Sequence, residues 1–248
     1  MLGGLPAWHH ARPMLILAAL VVAFAACIQA SIGFAYALLA APLLQLVSPE
    51  LVPGPVLISS FMLSALTAWR ERSSIDRRGV GLALTGRLPG ALLAVAAIGW
   101  LPQRTYDVLF GSLVLAAVLL SIWGRAVRPT PKALLAAGVA SGFMGTLTSV
   151  GGPPIALVYQ HAKGPELRST LNAYFALGSI LSLSLLALAG QLSATHVLWG
   201  LALLPAIGVG FYVSRFTRDR LDGPRMRPAV LWLAALSSLA VVLKALFY

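Results

Sequence analysis

Hydrophobic residues fall in eight blocks along the chain, at roughly 14–47, 51–69, 79–99, 106–123, 132–161, 166–189, 195–213 and 227–247, with basic and turn-forming residues gathered between them. Each block is long enough for a helix to cross about 30 Å of hydrocarbon. The first and fifth differ from the others, because each runs for 30 residues or more and is interrupted midway. The first interruption is Ser31-Ile32-Gly33-Phe34; the second is Ser149-Val150-Gly151-Gly152-Pro153-Pro154. Proline lacks a backbone donor and disfavours helix in the residue before it, while glycine takes dihedrals closed to other residues. A helix entering either stretch is expected to break. In a bilayer such a break survives only inside protein or beside water, and holding a ligand is the simplest reason to keep it.

The blocks repeat. Ser48-Pro49-Glu50-Leu51 aligns with Gly164-Pro165-Glu166-Leu167 at a shift of 116, and Leu88-Pro89-Gly90 aligns with Leu204-Pro205-Ala206 at the same shift. The interruptions align at 118, Ser31 with Ser149 and Gly33 with Gly151. This predicts two halves within one membrane domain. Half one, residues 1–124, holds a broken hairpin (14–47) and spans 51–69, 79–99 and 106–123. Half two, residues 125–248, holds a hairpin (132–161) and spans 166–189, 195–213 and 227–247.

Charge decides how the halves insert. If each interrupted block crosses once, the Lys and Arg residues divide 9 to 8 between the two faces. If each is a hairpin that leaves by the face it entered, the 70–78, 124–132, 162–168 and 214–227 loops share one side and carry 14 of the 18, against 3 on the other. Only the second division satisfies the positive-inside rule. Each half then has an odd number of crossings, so the halves are inverted repeats, an architecture of secondary transporters whose broken helices meet near the midplane. The expected fold is an all-α polytopic membrane protein with both termini outside.

Composition agrees. The chain is 59% hydrophobic and 10% charged, with mean hydropathy +0.88, too apolar for a soluble domain. The net charge of +11 reflects arginines between spans rather than a nucleic-acid surface. Cys27 is the sole cysteine, which excludes an intrachain disulfide or a cysteine-based metal cluster. Met1–Ala30 has only Arg12 and two histidines ahead of its apolar run and is not read as a cleaved signal peptide. No metal or cofactor is expected.

The candidate chemistry centres on the breaks. Half-helices restarting near Gly33 and Pro153 would present free N–H groups and partial positive charge to an anion. Ser31, Thr148 and Ser149 add hydroxyl donors, Gly151 and Gly152 allow close approach, and Phe34 flanks the first break. The competing reading is close helix packing through small residues, or capping by the hydroxyls. Arg87 is the only basic residue well inside a span. It is either a fixed cation for an anionic substrate or a side chain that snorkels to the interface. Its counterpart in half two is Leu203. Asn172, one turn into the sixth block, needs a partner in hydrocarbon, which is either another helix or the substrate. Glu50 and Glu166 follow Ser-Pro and Gly-Pro and read as first-turn acids of helix starts. The spans are otherwise expected to hold no carboxylate for a proton relay, and His161 reads as interfacial.

The chain resembles the TauE/SafE family of membrane permeases, often called sulfite exporters. The resemblance rests on Gly142–Pro154 with the following Ile155-Ala156-Leu157, on Ser31-Ile32-Gly33-Phe34 followed by Pro42, and on Leu88-Pro89-Gly90-Ala91-Leu92-Leu93. It implies a multi-pass protein of the bacterial inner membrane that exports, or in some members takes up, small sulfur-containing anions such as sulfite or organosulfonates. The partners expected are a small anion and the bilayer; a homo-oligomer and coupling to protons or another ion stay open. An intramembrane enzyme using Ser149 and His161 is the alternative, but on a helix starting at Pro153 the histidine lies about 12 Å from the break. A membrane assembly factor is the third class, and it needs neither inverted repeats nor paired breaks.

Overall fold

Long runs of Leu, Ala, Val and Gly leave the backbone polar groups no partner in hydrocarbon except each other, and the chain satisfies them with helix throughout. The computed structural model describes residues 8–32, 35–125, 127–162, 164–221 and 226–247. Half one contains α1 (Trp8–Ile32), α2 (Tyr36–Val47), α3 (Gly54–Arg70), α4 (Arg77–Trp100) and α5 (Gln103–Trp123). Half two contains α6 (Pro131–Thr148), α7 (Gly152–Val158), α8 (Gly164–Leu188), α9 (Ala194–Ala202), α10 (Leu204–Leu221) and α11 (Met226–Phe247). Among the described residues there is no strand, and seven helical segments are long and apolar enough to cross a membrane.

Both breaks occur, but neither is central. α1 has 25 residues and α2 only 12; α6 has 18 and α7 only 7. At 1.5 Å per residue α1 is about 37 Å long, enough by itself to cross the hydrocarbon. The seventh block is also divided, at Leu203 between α9 and α10, because Pro205 has no N–H to continue the helical ladder.

The helix ends gather at two poles. At one pole Arg70 reaches the Ala30 carbonyl, Arg168 pairs with Glu71, Tyr159 donates to Asp76, and the Val127 N–H donates to the Leu157 carbonyl. At the other, Gln191 donates to the Val95 carbonyl, Arg104 to that of Leu246, and Gln45 to Asp107. α1 thus runs to the first pole and α2 returns beside it, while α6 runs to the second and α7 returns.

Helix pairing crosses between the halves with a regular exchange. α4 packs on α6 and α10 on α1; α5 packs on α7 and α11 on α2; α3 packs on α8. The α4–α6 crossing is backbone to backbone. A Cβ at Gly86 or Gly90 would overlap the carbonyl oxygens of Leu135 and Val139, and one at Gly138 or Gly142 would overlap those of Ala83 and Arg87. Two small-xxx-small faces therefore meet, where dispersion and close contact replace the hydrophobic effect that lipid cannot supply. Polarity is inverted relative to a soluble protein: Ser59, Ser64, Thr67, Thr146 and Ser182 are inside, whereas Trp100 (89% exposed) and Leu188 (84%) face outward.

Candidate functional site

The two breaks converge on one cavity. Its walls include Ala35, Ala37 and Leu38 after the first break, Ser149 to Pro153 at the second, and Gln29, Ser60, Arg87, Phe175 and Ser179 from α1, α3, α4 and α8. The space open to a water-sized sphere is about 40 Å³, on the order of a few waters or one small ion. The breaks do not meet tip to tip. The first lies beside Ser64 and Asn172 through Gln29, and the second reaches Pro53, just before the opposite end of α3. The turns pass one another, with the cavity between them.

Backbone strain marks both turns. Ala35 has φ 96° and Ser149 φ 66°, and these are the only non-glycine residues with positive φ among those described. A left-handed conformation at such a residue costs about 1–3 kcal/mol and persists where the surroundings impose it. Both residues line the cavity.

Arg87 turns inward rather than to the interface and is only 3% exposed. Its Nη1 donates to Ser141 Oγ (3.4 Å) and to the Tyr174 hydroxyl (3.3 Å), and its Nη2 to Ser182 Oγ (3.1 Å). The guanidinium also lies over the Tyr174 ring, 5.3 Å from its centroid. Its Nε is buried and has no acceptor among the described residues. The slot that admits it is made of glycine: a Cβ at Gly178 would come within 2.6 Å of Nε, and one at Gly145 within 3.0 Å of Nη2. The one ion pair among the described residues, Arg168–Glu71, is elsewhere. Three neutral hydroxyls therefore face a buried cation, an arrangement with a charge deficit that an anion would fill.

The hydroxyls expected as free donors at the breaks are engaged. Ser31 donates to the Cys27 carbonyl (2.8 Å), Thr148 to that of Met144 (2.7 Å) and Ser149 to that of Pro53 (3.1 Å). Thr148 Oγ1 also accepts the Val150 N–H (3.0 Å). Only Ser149 of the three lines the cavity. The N–H supply is also smaller than expected. Pro153 and Pro154 occupy the first turn of α7 and have no donors, and the Tyr36 N–H at the start of α2 is taken by Gln29 Oε1 (2.9 Å). Gly33 and Phe34 lie outside the described residues. Gly151, Gly152 and Pro153 line the cavity, with the Gly151 carbonyl accepting from Ser141 Oγ.

Asn172 is fully buried but is not on the cavity wall. Its Oδ1 accepts from Gln29 Nε2 (3.1 Å) and its Nδ2 donates to the Arg168 carbonyl (2.8 Å), so its described partners are protein groups. The expectation of spans without a further carboxylate is corrected by Asp107, near the start of α5, which accepts from Gln45 (2.9 Å) and Gln103 (2.8 Å). Glu50 sits in a short turn at Pro49–Leu51, Glu166 in the first turn of α8, and His161 is exposed past the end of α7.

Gln29, Ser141, Ser179 and Ser182 are residues of this region that sequence reasoning misses. Gln29 has a signal, being the last amide before the first break. The serines have none, since single hydroxyls are common in membrane helices, where they bond back to their own backbone.

Known proteins add to this geometry. No curated protein and no solved structure matches the chain. The family model described as sulfite exporter TauE/SafE matches residues 18–241, which include both breaks, the cavity and every helix named above at least in part. The protein is therefore a multi-pass membrane transport protein, and it belongs to the TauE/SafE sulfite exporter family.

Proposed function

We propose that this protein is a secondary permease of the bacterial inner membrane, carrying a small anion, sulfite or an organosulfonate, that binds against Arg87 between the two broken helices. The observation that carries the proposal is the buried guanidinium, whose partners among the described residues are all neutral and whose Nε has no acceptor there, on the wall of a cavity that both breaks share. Placing such a charge in a membrane interior costs about 3 kcal/mol or more, and a bound anion would offset that cost during transport. The other cavity-lining groups are apolar or neutral, which suits a dehydrated anion, and no carboxylate is among them to neutralise a cation.

We read residues 1–124 and 125–248 as inverted repeats. The exchanged pairing of α4 with α6 and α1 with α10, and of α5 with α7 and α2 with α11, is what a two-fold axis relating the halves would produce. Rocking of one half against the other would expose the cavity to each face in turn.

Purified protein in proteoliposomes, offered sulfite, sulfate, thiosulfate and sulfoacetate, is expected to give saturable flux of at least one anion that empty liposomes lack. Flux of none of the four, or of cations alone, would overturn the proposal. Topology has its own test. In a Cys27→Ala background, single cysteines at Thr130 and Asp219 should both resist an impermeant thiol reagent added to intact cells. Labelling of just one of them would refute the hairpin insertion, and labelling of both would reverse its orientation.

A further inference from the structure

We propose that Gln29 is a second substrate-contacting side chain, which donates to an acceptor oxygen of the bound anion and makes the site selective for oxyanions over halides. The inference rests on reading the cavity as an anion site. Gln29 is only 3% exposed, yet it lines the cavity from α1, on a different helix from Arg87.

The two ends of a glutamine amide are alike in shape and opposite in function, so the neighbours decide which end faces where. The Tyr36 N–H can only donate, and it lies 2.9 Å from Oε1. That assignment turns the donating Nε2 away from the start of α2. One Nε2 hydrogen goes to Asn172 Oδ1 at 3.1 Å. Asn172 is oriented in turn, because its Nδ2 donates to the Arg168 carbonyl at 2.8 Å, and a carbonyl can only accept. Two backbone groups, one at each end of this chain of amides, therefore hold Gln29 in its donating sense.

The remaining Nε2 contact is to Ser64 Oγ at 3.4 Å, at the long end of the hydrogen-bonding range. An anion oxygen would be a shorter and charge-assisted acceptor for the same hydrogen. An oxyanion has several acceptor oxygens and can engage Arg87 and Gln29 together. A halide carries its charge at one centre, so seated against Arg87 it has no second acceptor atom to extend to Gln29. Selectivity follows from the donor on the second wall.

The test measures sulfite and bromide binding to the purified protein in lipid nanodiscs by titration calorimetry. Gln29→Leu keeps the bulk and removes both ends of the amide. It is expected to lower sulfite affinity about tenfold or more while changing bromide affinity by no more than about twofold, in line with a lost hydrogen bond to a charged acceptor. If Gln29 served only to hold the start of α2, the two affinities would fall together, and that result would overturn the inference. Unchanged sulfite affinity would overturn it as well. Should Gln29→Leu fail to fold, Asn172→Ala leaves Gln29 in place but frees its amide. The expected loss is then about threefold in the sulfite-to-bromide ratio, and an unaltered ratio counts against the inference. Wild-type protein that binds neither anion would instead refute the anion site itself, and Gln29's role with it.

Discussion

Arg87→Gln is expected to abolish anion flux while leaving the protein folded and at least as resistant to heat as the wild type. The two halves of that expectation have one cause. The wild-type guanidinium is buried, and its partners are the hydroxyls of Ser141, Tyr174 and Ser182 rather than a carboxylate. Removing a buried charge that no anion among the described residues neutralises removes a desolvation cost, so stability should hold or rise. On the proposed site the substrate loses its cationic contact, and charge-assisted bonds of about 1.5–3 kcal/mol each correspond to roughly tenfold or more in affinity. Arg87→Lys should retain part of the flux, since an ammonium keeps the charge but cannot reproduce the planar fork that reaches three hydroxyls on two helices. Proteoliposome flux and a thermal scan on the same preparations decide the matter. Wild-type flux in the glutamine variant would remove Arg87 from the site.

Gly151→Val should abolish flux where Ser149→Ala only weakens it. The backbone at Gly151 has φ −103°, which valine can adopt, so the obstacle is space. A Cβ there would lie 2.7 Å from the Ser141 carbonyl oxygen, 2.8 Å from its Oγ and 3.1 Å from Gly145 Cα. Ser141 is also an Arg87 acceptor, and Gly145 forms one side of the guanidinium slot. A valine would therefore move the second turn and the arginine together. Ser149→Ala deletes one hydrogen bond, to the Pro53 carbonyl, worth about 1 kcal/mol. Near wild-type flux in Gly151→Val would show that the turn is not a wall of the binding site, and a larger loss in Ser149→Ala would show that the hydroxyl, rather than the space at Gly151, controls flux.

The positions of the breaks were legible because the residues that cause them act locally. Pro153 and Pro154 remove donors wherever the chain goes, and Gly151 and Gly152 favour no helix. Arg87 was legible for a related reason: one cation in a long apolar run is conspicuous whatever surrounds it. Its direction was not, because a side chain that long reaches either the interface or the interior. The glycines at 145 and 178, distant in sequence, open the interior route.

The donors show the limit more sharply. Ser31, Thr148 and Ser149 are hydroxyls at the breaks, and the sequence alone offers them to a ligand. Ser31 and Thr148 bond back four residues to Cys27 and Met144, as hydroxyls in helices commonly do, and only the bond from Ser149 to Pro53 depends on the tertiary fold. For Asn172, left open between another helix and the substrate, the fold supplies the Gln29 amide as a hydrogen-bond partner.

By itself the sequence determined the features set by solvent and by local chain chemistry: helices throughout and two interruptions. Hydrocarbon offers the backbone no partners, so these features need no knowledge of distant contacts. The tertiary structure decided which helices exchange partners, that the two turns pass rather than meet, and that Arg87, Gln29, Ser149 and Phe175 share one cavity. Those outcomes depend on close approach between segments 50 to 150 residues apart, such as the glycine crossing of α4 and α6 and the bond from Gln29 to Asn172. Complementarity of that kind is a property of two surfaces at once, and a single segment read along the chain holds only one of them.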